Sequence, residues 1–431
     1  MVKINVMKKH TSWVAFIVLG ALALSWWALP AIGQNAEPQL PARGVMIEID
    51  SPERALYRIA VPSLQGGTVG TTAAEVLRND FKLISLFTVL DARSFMDSQP
   101  ATLDIRTSDW SVVGAQAVIK GKLTQTGSGV SMDMRLYELA KGNSPTLQKS
   151  YRGSLGDVRK FMHKFANEVL LVLTGEAGAF DSRITFARRL SPGRKDVYVS
   201  DFDGHGLGRV SKGNGIAMLP SFGPGGIWYS ILSKYGMYIT RTGANERPVI
   251  KSQGLNMGVT SCGNRIYFSS TRSGNAEIFS ANGDGSDVRQ LTHHRSIDVS
   301  PACGPTGQLA FVSNRQGSPQ VYTMNTDGSG VKRITYRGDY NQTPTWCPDP
   351  KKSLLAFTGR SGDYDIFVIN LQTGEYTRLT QGQGSNKDPA FSPDCRMVAF
   401  ASSRGGIYLS SIEGLNHNRV VPGGAETIRW S

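Results

Sequence analysis

The sequence has few cysteines and lacks the short motifs of common enzyme families. It has four cysteines in 431 residues, and none forms a C-x-x-C pair, which weakens redox and structural-zinc interpretations. It contains no G-x-S-x-G nucleophile elbow, no H-E-x-x-H, no P-loop and no G-x-G-x-x-G. The sequence therefore gives no direct indication of catalysis, and we expect no cofactor and no metal ion.

Long runs of like charge are also absent. No stretch carries five or more like charges, although 47 basic residues outnumber 34 acidic ones and give a net charge of +13. This excess fits an anionic partner or a solvated basic surface, and we favour the second because the charge is dispersed. We expect no nucleic-acid partner.

A long apolar run occurs at the N-terminus. Lys3, Lys8 and Lys9 precede the uncharged stretch WVAFIVLGALALSWWAL (13–29), and the small residues Ala31 and Gly33 follow it. This order predicts a signal peptide over residues 1–33, which would export the chain. An uncleaved N-terminal anchor is the alternative. Residues 34–43 would form an N-terminal extension.

Apolar bursts that follow turn residues recur through the second half of the chain. They begin at residues 184, 227, 266, 309, 355 and 398. Each repeat contains short strand-like pieces separated by Gly, Asn or Asp turns. Because this period is typical of propeller blades, residues 181–431 are predicted to form a six-bladed β-propeller. The last residues, TIRWS (427–431), match the first strand of a repeat and would complete the first one.

Residues 44–180 have a different pattern of apolar and polar residues and are predicted to form a separate small α/β domain. Strand patterns cover 45–50 and 57–61, a helical pattern covers 68–86, and a hairpin spans 117–136 around a Gly-Ser-Gly turn. A second helix begins at Ser154, where Asp157 completes a capping box. Gly175 ends that helix.

The four cysteines lie in the repeats. Cys262 and Cys303 occupy equivalent positions in consecutive repeats, so we expect either a disulfide between them or two small buried thiols. Cys347 lies one place further along its repeat and Cys395 replaces a turn glycine, and the sequence assigns neither a partner.

Other polar residues are interpreted as structural. Asp349, Asp363 and Asp365 lie in one repeat and are expected to form turns rather than a metal or acid–base site. His163 lies on the second predicted helix and is expected to be structural, and the adjacent His293 and His294 suit a binding loop better than a metal pair.

Three stretches resemble the TolB family of periplasmic propeller proteins. They are PAFSPDCRMVAFASSRGGIYL (389–409), PTWCPD (344–349) and the domain junction LTGEAGAFDSRITFARR (173–189). The resemblance implies a periplasmic, non-enzymatic component of the Tol–Pal system that acts as a monomer. It implies binding of the peptidoglycan-associated lipoprotein Pal through one propeller face, and a contribution to outer-membrane integrity and to invagination during cell division.

The resemblance also implies a switch segment near the mature N-terminus that communicates with TolA of the inner membrane. Here that segment is VMIEID, which comprises Val45, Met46, Ile47, Glu48, Ile49 and Asp50. In the family this segment usually lies close to the mature N-terminus. Here residues 34–43 precede it, which departs from the family pattern.

Partner binding is expected in the loops that precede the first strand of each repeat, since these loops gather at one end of a propeller. They are 212–217, 253–258, 293–298, 337–343, 382–388 and 423–426, and their polar composition suits a hydrogen-bonded protein interface. The candidate contact residues are His294, Arg295, Tyr340, Asn341, Asn386 and Lys387. The alternatives are an exported propeller enzyme, a peptide or glycan hydrolase or lyase, and a small-ligand sensor that uses the channel.

Overall fold

A computed structural model describes residues 56–213 and 215–431, all within a compact unit that spans Gly44–Ser431. The expected signal peptide, the extension 34–43 and the switch segment Val45–Asp50 lie outside the described residues. In the part of the chain that is described, no helix has the length and apolar character needed to cross a membrane.

The described part begins with an α/β domain. Its five-stranded sheet has the order β2-β1-β3-β4-β5, with β1 parallel to both neighbours, and α1 and α3 pack against the sheet and each other. The elements are β1 (Tyr57–Ala60), α1 (Gly67–Leu83), β2 (Phe87–Val89), α2 (Thr107–Ser111), β3 (Ala117–Thr126), β4 (Gly129–Glu138), β5 (Leu147–Ser154) and α3 (Val158–Thr174). The predicted hairpin is β3–β4.

The ends of α3 follow the sequence signals. Ser154 and Asp157 form the expected capping box, but the first turn, Leu155–Asp157, is a 3₁₀ turn that leads into the α-helix. Gly175 has φ of 78° and donates its N–H to Leu171 O at 2.9 Å. A left-handed residue of this kind satisfies a carbonyl that the helix end would leave free.

Six repeats follow. Within each repeat, strands that are consecutive in the chain pair antiparallel. Their strands are β6 (Arg183–Ser191), β7 (Arg194–Asp201) and β8 (Gly208–Arg209) in repeat one; β9 (Ile216–Gly223), β10 (Gly226–Ser233) and β11 (Gly236–Arg241) in repeat two; β12 (Gly254–Cys262), β13 (Arg265–Ser270), β14 (Glu277–Asn282) and β15 (Arg289–Gln290) in repeat three; β16 (Asp298–Cys303), β17 (Gln308–Ser313), β18 (Gln320–Asn325) and β19 (Lys332–Arg333) in repeat four; β20 (Asn341–Trp346), β21 (Leu354–Ser361), β22 (Asp363–Asn370) and β23 (Tyr376–Arg378) in repeat five; and β24 (Asn386–Phe391), β25 (Met397–Ser402), β26 (Gly406–Ser411) and β27 (Asn418–Pro422) in repeat six.

Repeats one to three are less separate than the sequence predicts. Short parallel pairings join them, together with the last strand of the chain, into one eleven-stranded sheet, whereas repeats four, five and six are individual four-stranded sheets. One joint requires glycine: a Cβ on Gly236 would lie 2.3 Å from Gly254 O. Repeat two also lacks a regular fourth strand and has an isolated bridge between Ile239 and Ile250 instead.

The end of the chain returns to the first repeat. Strand β28 (Glu426–Trp430) pairs antiparallel with β6, and Arg183 and Ser431 exchange backbone hydrogen bonds of 3.1 and 3.0 Å. The strands β9, β12, β16, β20, β24 and β28 contact one another in that order, and β28 contacts β9.

Each of these six strands carries a β-bulge at the same place. The bulge residue has a positive φ of 50–60°, and the six residues are Leu219, Gly258, Ser300, Thr343, Asp388 and Thr427. Hydroxyls of a preceding repeat hold some of the bulges. Ser230 Oγ accepts Gly258 N–H at 3.1 Å and Thr358 Oγ1 accepts Asp388 N–H at 3.1 Å. The bulge is therefore also a contact between neighbouring repeats.

In several repeats a buried acid or amide lies at or near the start of a strand and binds a hydroxyl side chain. Asp365 Oδ1 accepts the Thr380 hydroxyl at 2.7 Å, and Thr380 Oγ1 in turn accepts Ile366 N–H at 3.0 Å. The equivalent pairs are Glu277 with Thr292, Gln320 with Thr335 and Asp196 with Ser211. The prediction that Asp365 forms a turn is wrong, because it is a buried strand residue, although its role is structural as expected.

Two disulfides link neighbouring repeats. Cys262 bonds to Cys303, which realises one of the two expected alternatives, and Cys347 bonds to Cys395, a pair that the sequence did not predict. The Cα atoms are 5.7 and 5.3 Å apart. Cys395 has φ of 59° in the turn after β24, where a glycine is usual.

The α/β domain and the repeats share a core. One hydrophobic cluster contains Phe165 of α3 together with Phe202 and Ile428 of the repeats. Nearby, the buried Arg396 donates to Thr174 Oγ1 at 3.0 Å and pairs with Glu176 at 3.1 Å. The α/β domain and the repeats are therefore packed against each other.

Candidate functional site

The loops before the first strands and the turns between second and third strands lie at one end of the repeats. Asn314 Oδ1 accepts Ile297 N–H at 2.9 Å, and Ser385 O accepts Ser403 N–H at 2.8 Å. We call this surface the loop face. It comprises residues 293–298, 337–343 and 382–388 with the turns 314–319, 360–364 and 403–405.

His294 and Arg295 differ in exposure. His294 is half-buried: its N–H donates to Glu277 Oε1 at 2.8 Å, and its Nδ1 accepts Ser296 N–H at 3.1 Å. Arg295 is exposed and takes part in none of the ion pairs between described residues. The folded loop therefore presents Arg295 as a free cation while His294 holds the loop in place.

Tyr340 and Lys387 belong to one group, which we call the tyrosine cluster and define as Tyr340, Arg360, Tyr364 and Lys387. The Tyr340 and Tyr364 rings meet edge to face at 5.9 Å. Lys387 Nζ lies 3.9 Å from the centre of the Tyr364 ring, and the Arg360 guanidinium lies 5.4 Å from that of Tyr340. Aromatic rings with fixed cations are common at the centres of protein interfaces.

Asn341 and Asn386 are buried rather than presented to solvent. Asn341 Nδ2 donates to Gln320 Oε1 at 2.8 Å and to Arg337 O at 2.9 Å, and Asn386 Nδ2 donates to Gly384 O at 2.8 Å. Both side chains therefore fix loop backbone, and a direct contact with a partner protein stays a prediction.

Sequence reasoning missed Tyr364 and Arg360 as members of the site. Both lie in the β21–β22 hairpin, which the sequence presents as an ordinary turn next to Asp363. The available signal was the tyrosine, because a large aromatic residue in a short polar turn is costly to expose without a contact.

The bulges of the first strands surround a cavity of about 270 Å³. Its wall includes Gly258, Ser300, Thr343, Asp388 and Arg429. Burial raises the pKa of the Asp388 carboxyl and lowers the pKa of the Arg429 guanidinium. Asp388 Oδ2 accepts Thr427 N–H at 2.7 Å, so this carboxylate also holds the bulge of β28.

One group of potential metal ligands lies between the α/β domain and the repeats. Single ligand atoms of Asp80, His163 and Asp203 are within 4.8 Å of one another. His163 Nδ1 bonds to Asp80 Oδ2 at 2.8 Å, and Arg159 pairs with Asp203. Burial raises the pKa of Asp80 well above its usual range and lowers that of His163 to about 4. These contacts fit an interdomain hydrogen-bond cluster, in line with the structural role expected for His163.

Two family models match this chain. The TolB beta propeller domain matches residues 171–360 and 341–431, and the TolB amino-terminal domain matches residues 45–144. The chain belongs to the TolB family. The predicted propeller and the α/β domain before it are thereby confirmed as classes of fold.

Relatives from other bacteria carry the name Tol-Pal system protein TolB. That of Anaeromyxobacter dehalogenans strain 2CP-C is 35% identical over 304 residues, which cover 66% of this chain and 67% of the relative. That of Desulfosudis oleivorans is 32% identical over 263 residues, which cover 57% of this chain and 60% of the relative. The chain therefore spans about 60–67% of the length of these two relatives.

A solved structure supports the fold. The crystal structure of TolB from Acinetobacter baumannii superposes with a TM-score of 0.76 at 22% sequence identity. The match covers 88% of this chain and 97% of that structure, so the order of an α/β domain followed by a propeller is shared.

Proposed function

We propose that this protein is a periplasmic, non-enzymatic interaction component of the Tol–Pal system that acts as a monomer. The observation that carries the proposal is the match of both TolB domain models to one chain. The role would be to support outer-membrane integrity and invagination during cell division.

The partner on the loop face would be a Pal-like peptidoglycan-associated lipoprotein. Support comes from the free cation of Arg295 and from the tyrosine cluster, which together offer charge and rigid aromatic surface. Of the candidate residues, Arg295, Tyr340 and Lys387 would contact the lipoprotein, while His294, Asn341 and Asn386 would position the loops.

A second partner would be a TolA-like protein of the inner membrane. Its binding segment would be Val45–Asp50, which opens the region matched by the TolB amino-terminal domain.

The propeller would have six blades, with β28 as the innermost strand of the first. The contacts of β28 with β6 and β9 support this closure. Deleting residues 427–431 should lower the midpoint of urea denaturation far more than deleting five exposed residues, because Ile428 is fully buried. A truncated chain that unfolds like the full chain would contradict the closed ring.

The test of the function is binding of the purified Pal-like lipoprotein to the full mature chain by calorimetry. Arg295→Glu and Lys387→Glu should each weaken binding by about tenfold, and Tyr340→Ala by about the same factor. Lys332→Glu is the matched control, since Lys332 is exposed on the outer strand β19 and lies outside the loop face. Equal affinities of all four variants and the parent chain would reject the loop face.

A second candidate function is small-ligand sensing, which the cavity of about 270 Å³ beside Asp388 and Arg429 favours. Native mass spectrometry of the full chain would detect a retained ligand. The Arg429→Met variant should lose it, and a chain that retains nothing would remove this candidate.

A further inference from the structure

Several repeats carry an arginine stacked on an aromatic pair near the loop face. In repeat four, the Arg315 guanidinium lies 5.4 Å from the centre of the Phe311 ring and 5.1 Å from that of Tyr322. The same arrangement joins Arg188 to Phe186 and Tyr198, Arg272 to Phe268 and Phe279, and Arg404 to Tyr408 beside Phe400.

Two side chains anchor this arginine. Ser313 Oγ accepts Arg315 Nε at 2.9 Å, and Asp298 Oδ2 accepts Arg315 Nη2 at 2.8 Å. In repeat three, Ser270 and Asn256 bind Arg272 in the same way, at 3.2 Å each. The two anchors face each other across the first and second strands, as Asp298 pairs with Ser313 and Asn256 with Ser270.

Repeat five has the aromatic pair but no such arginine. Phe357 and Phe367 stack at 5.6 Å, yet the serine position is Gly359, which faces Asn341 in the strand register. The hairpin is tighter here, and Arg360 pairs with Asp339 at 3.1 Å instead of stacking on the aromatic pair. What remains is a cavity of about 270 Å³, which we call the open slot. Its wall includes Asn341, Gly359, Phe367 and three arginines, Arg337, Arg360 and Arg378.

The acceptor for a guanidinium is in place in the open slot. A Cβ on Gly359 would lie 2.9 Å from Asn341 Oδ1 and 2.8 Å from the Phe367 ring. The Oδ1 atom therefore points to the space where the other repeats hold serine and arginine. Asn341 Nδ2 already donates hydrogen bonds to Gln320 Oε1 and Arg337 O, and these bonds fix the amide in this orientation.

Two of the three arginines in the wall of the open slot are paired with carboxylates, Arg360 with Asp339 and Arg378 with Asp365. Arg378 comes within 5.8 Å of the Phe367 ring, but it is held by Asp365 at 2.5 Å and by Thr380 O at 3.1 Å. Repeat four has Arg333 in the place of Arg378 and still contains the stacked Arg315. One repeat can thus hold both arginines.

We propose that the open slot of repeat five binds an arginine side chain of the partner protein. The guanidinium would stack on the half-buried Phe367 ring, beside the buried Phe357, and donate to Asn341 Oδ1, as Arg272 does to Asn256 in repeat three. The identity of the partner as a Pal-type lipoprotein rests on the proposed function, whereas the affinity of the slot for an arginine side chain does not.

The experiment titrates the full chain with N-acetyl-arginine methylamide and follows methyl and amide NMR signals around Phe357 and Gly359. The neutral isostere N-acetyl-citrulline methylamide and the N-acetyl-glutamate analogue should bind at least about tenfold more weakly, since charge-assisted hydrogen bonds are stronger. Asn341→Leu should abolish the shifts, with circular dichroism as the check on folding. Arg404→Ala should open a second slot, so that the probe occupies two sites instead of one.

Occupation of the repeat-six slot in Arg404→Ala, with no binding at repeat five, would overturn the inference, as would preference of the open slot for the glutamate probe. The probe requires no lipoprotein. A chain that binds the probe but not the lipoprotein would refute the proposed function and support the arginine site. A chain that binds the lipoprotein but not the probe would refute the arginine site and support the proposed function.

Discussion

Repeats four and five are neighbours with the same strand pattern, but they hold their loop ends in different ways. Repeat four closes its end with a buried ion pair, in which Asp298 binds Arg315 at 2.8 Å. Repeat five has the neutral Asn341 at the first position, and its Arg360 is exposed. A shared frame can thus be completed by its own arginine or left open to a side chain from outside.

The frame itself is common to both repeats. Each packs an aromatic pair between its second and third strands, Phe311 with Tyr322 and Phe357 with Phe367. Each has a buried polar side chain at or near the start of its third strand, Gln320 in repeat four and Asp365 in repeat five, and both bind a threonine hydroxyl at 2.7 Å. The difference is therefore confined to the loop end.

Loss of a buried aromatic ring from the shared frame should destabilise the protein most. Phe311→Ala and Phe357→Ala should each lower the free energy of unfolding by about 3–5 kcal/mol, because both rings are fully buried. Urea denaturation of the two variants provides the measurement. A loss of unfolding free energy in one variant without a comparable loss in the other would show that the two frames are not equivalent.

The disulfides should contribute next, and nearly equally. They close segments of 41 and 48 residues, Cys262 to Cys303 and Cys347 to Cys395, so replacing either pair with alanine should cost about 2–4 kcal/mol. Urea denaturation measures the cost, and non-reducing peptide mapping checks the pairing. A cross-pairing such as Cys303 with Cys347 would contradict the structure.

A smaller effect should separate the two repeats at their loop ends. Arg315→Ala leaves the buried Asp298 carboxylate without its partner and should cost about 2–4 kcal/mol. Arg360→Ala removes an exposed ion pair and should leave the denaturation midpoint unchanged. Equal midpoints for the two variants would remove the distinction between a closed and an open repeat.

The repeat period, the α/β domain and the cap of α3 could be predicted from the sequence because these features depend on local patterns. The period of the apolar bursts located each second strand, and Ser154 with Asp157 located the start of α3. The joining of repeats one to three was not predictable, since it depends on the close approach of Gly236 to Gly254 across the sheet.

The candidate site was predicted in part. Loop composition pointed to Arg295, Tyr340 and Lys387, which the loop face exposes or half-exposes. Asn341 and Asn386 are buried, and their amides hydrogen-bond to loop carbonyls, a contact that loop composition does not reveal. The role of Gly359 could be recognised only from the strand register, which places it opposite Asn341.

We propose that the loop face, open at repeat five, receives the lipoprotein. The direct measurement is amide hydrogen exchange of the full mature chain with and without a saturating Pal-like lipoprotein. We expect slower exchange in residues 337–343, 360–364 and 382–388, with little change in residues 326–330 at the opposite end. Protection confined to the α/β domain would contradict it.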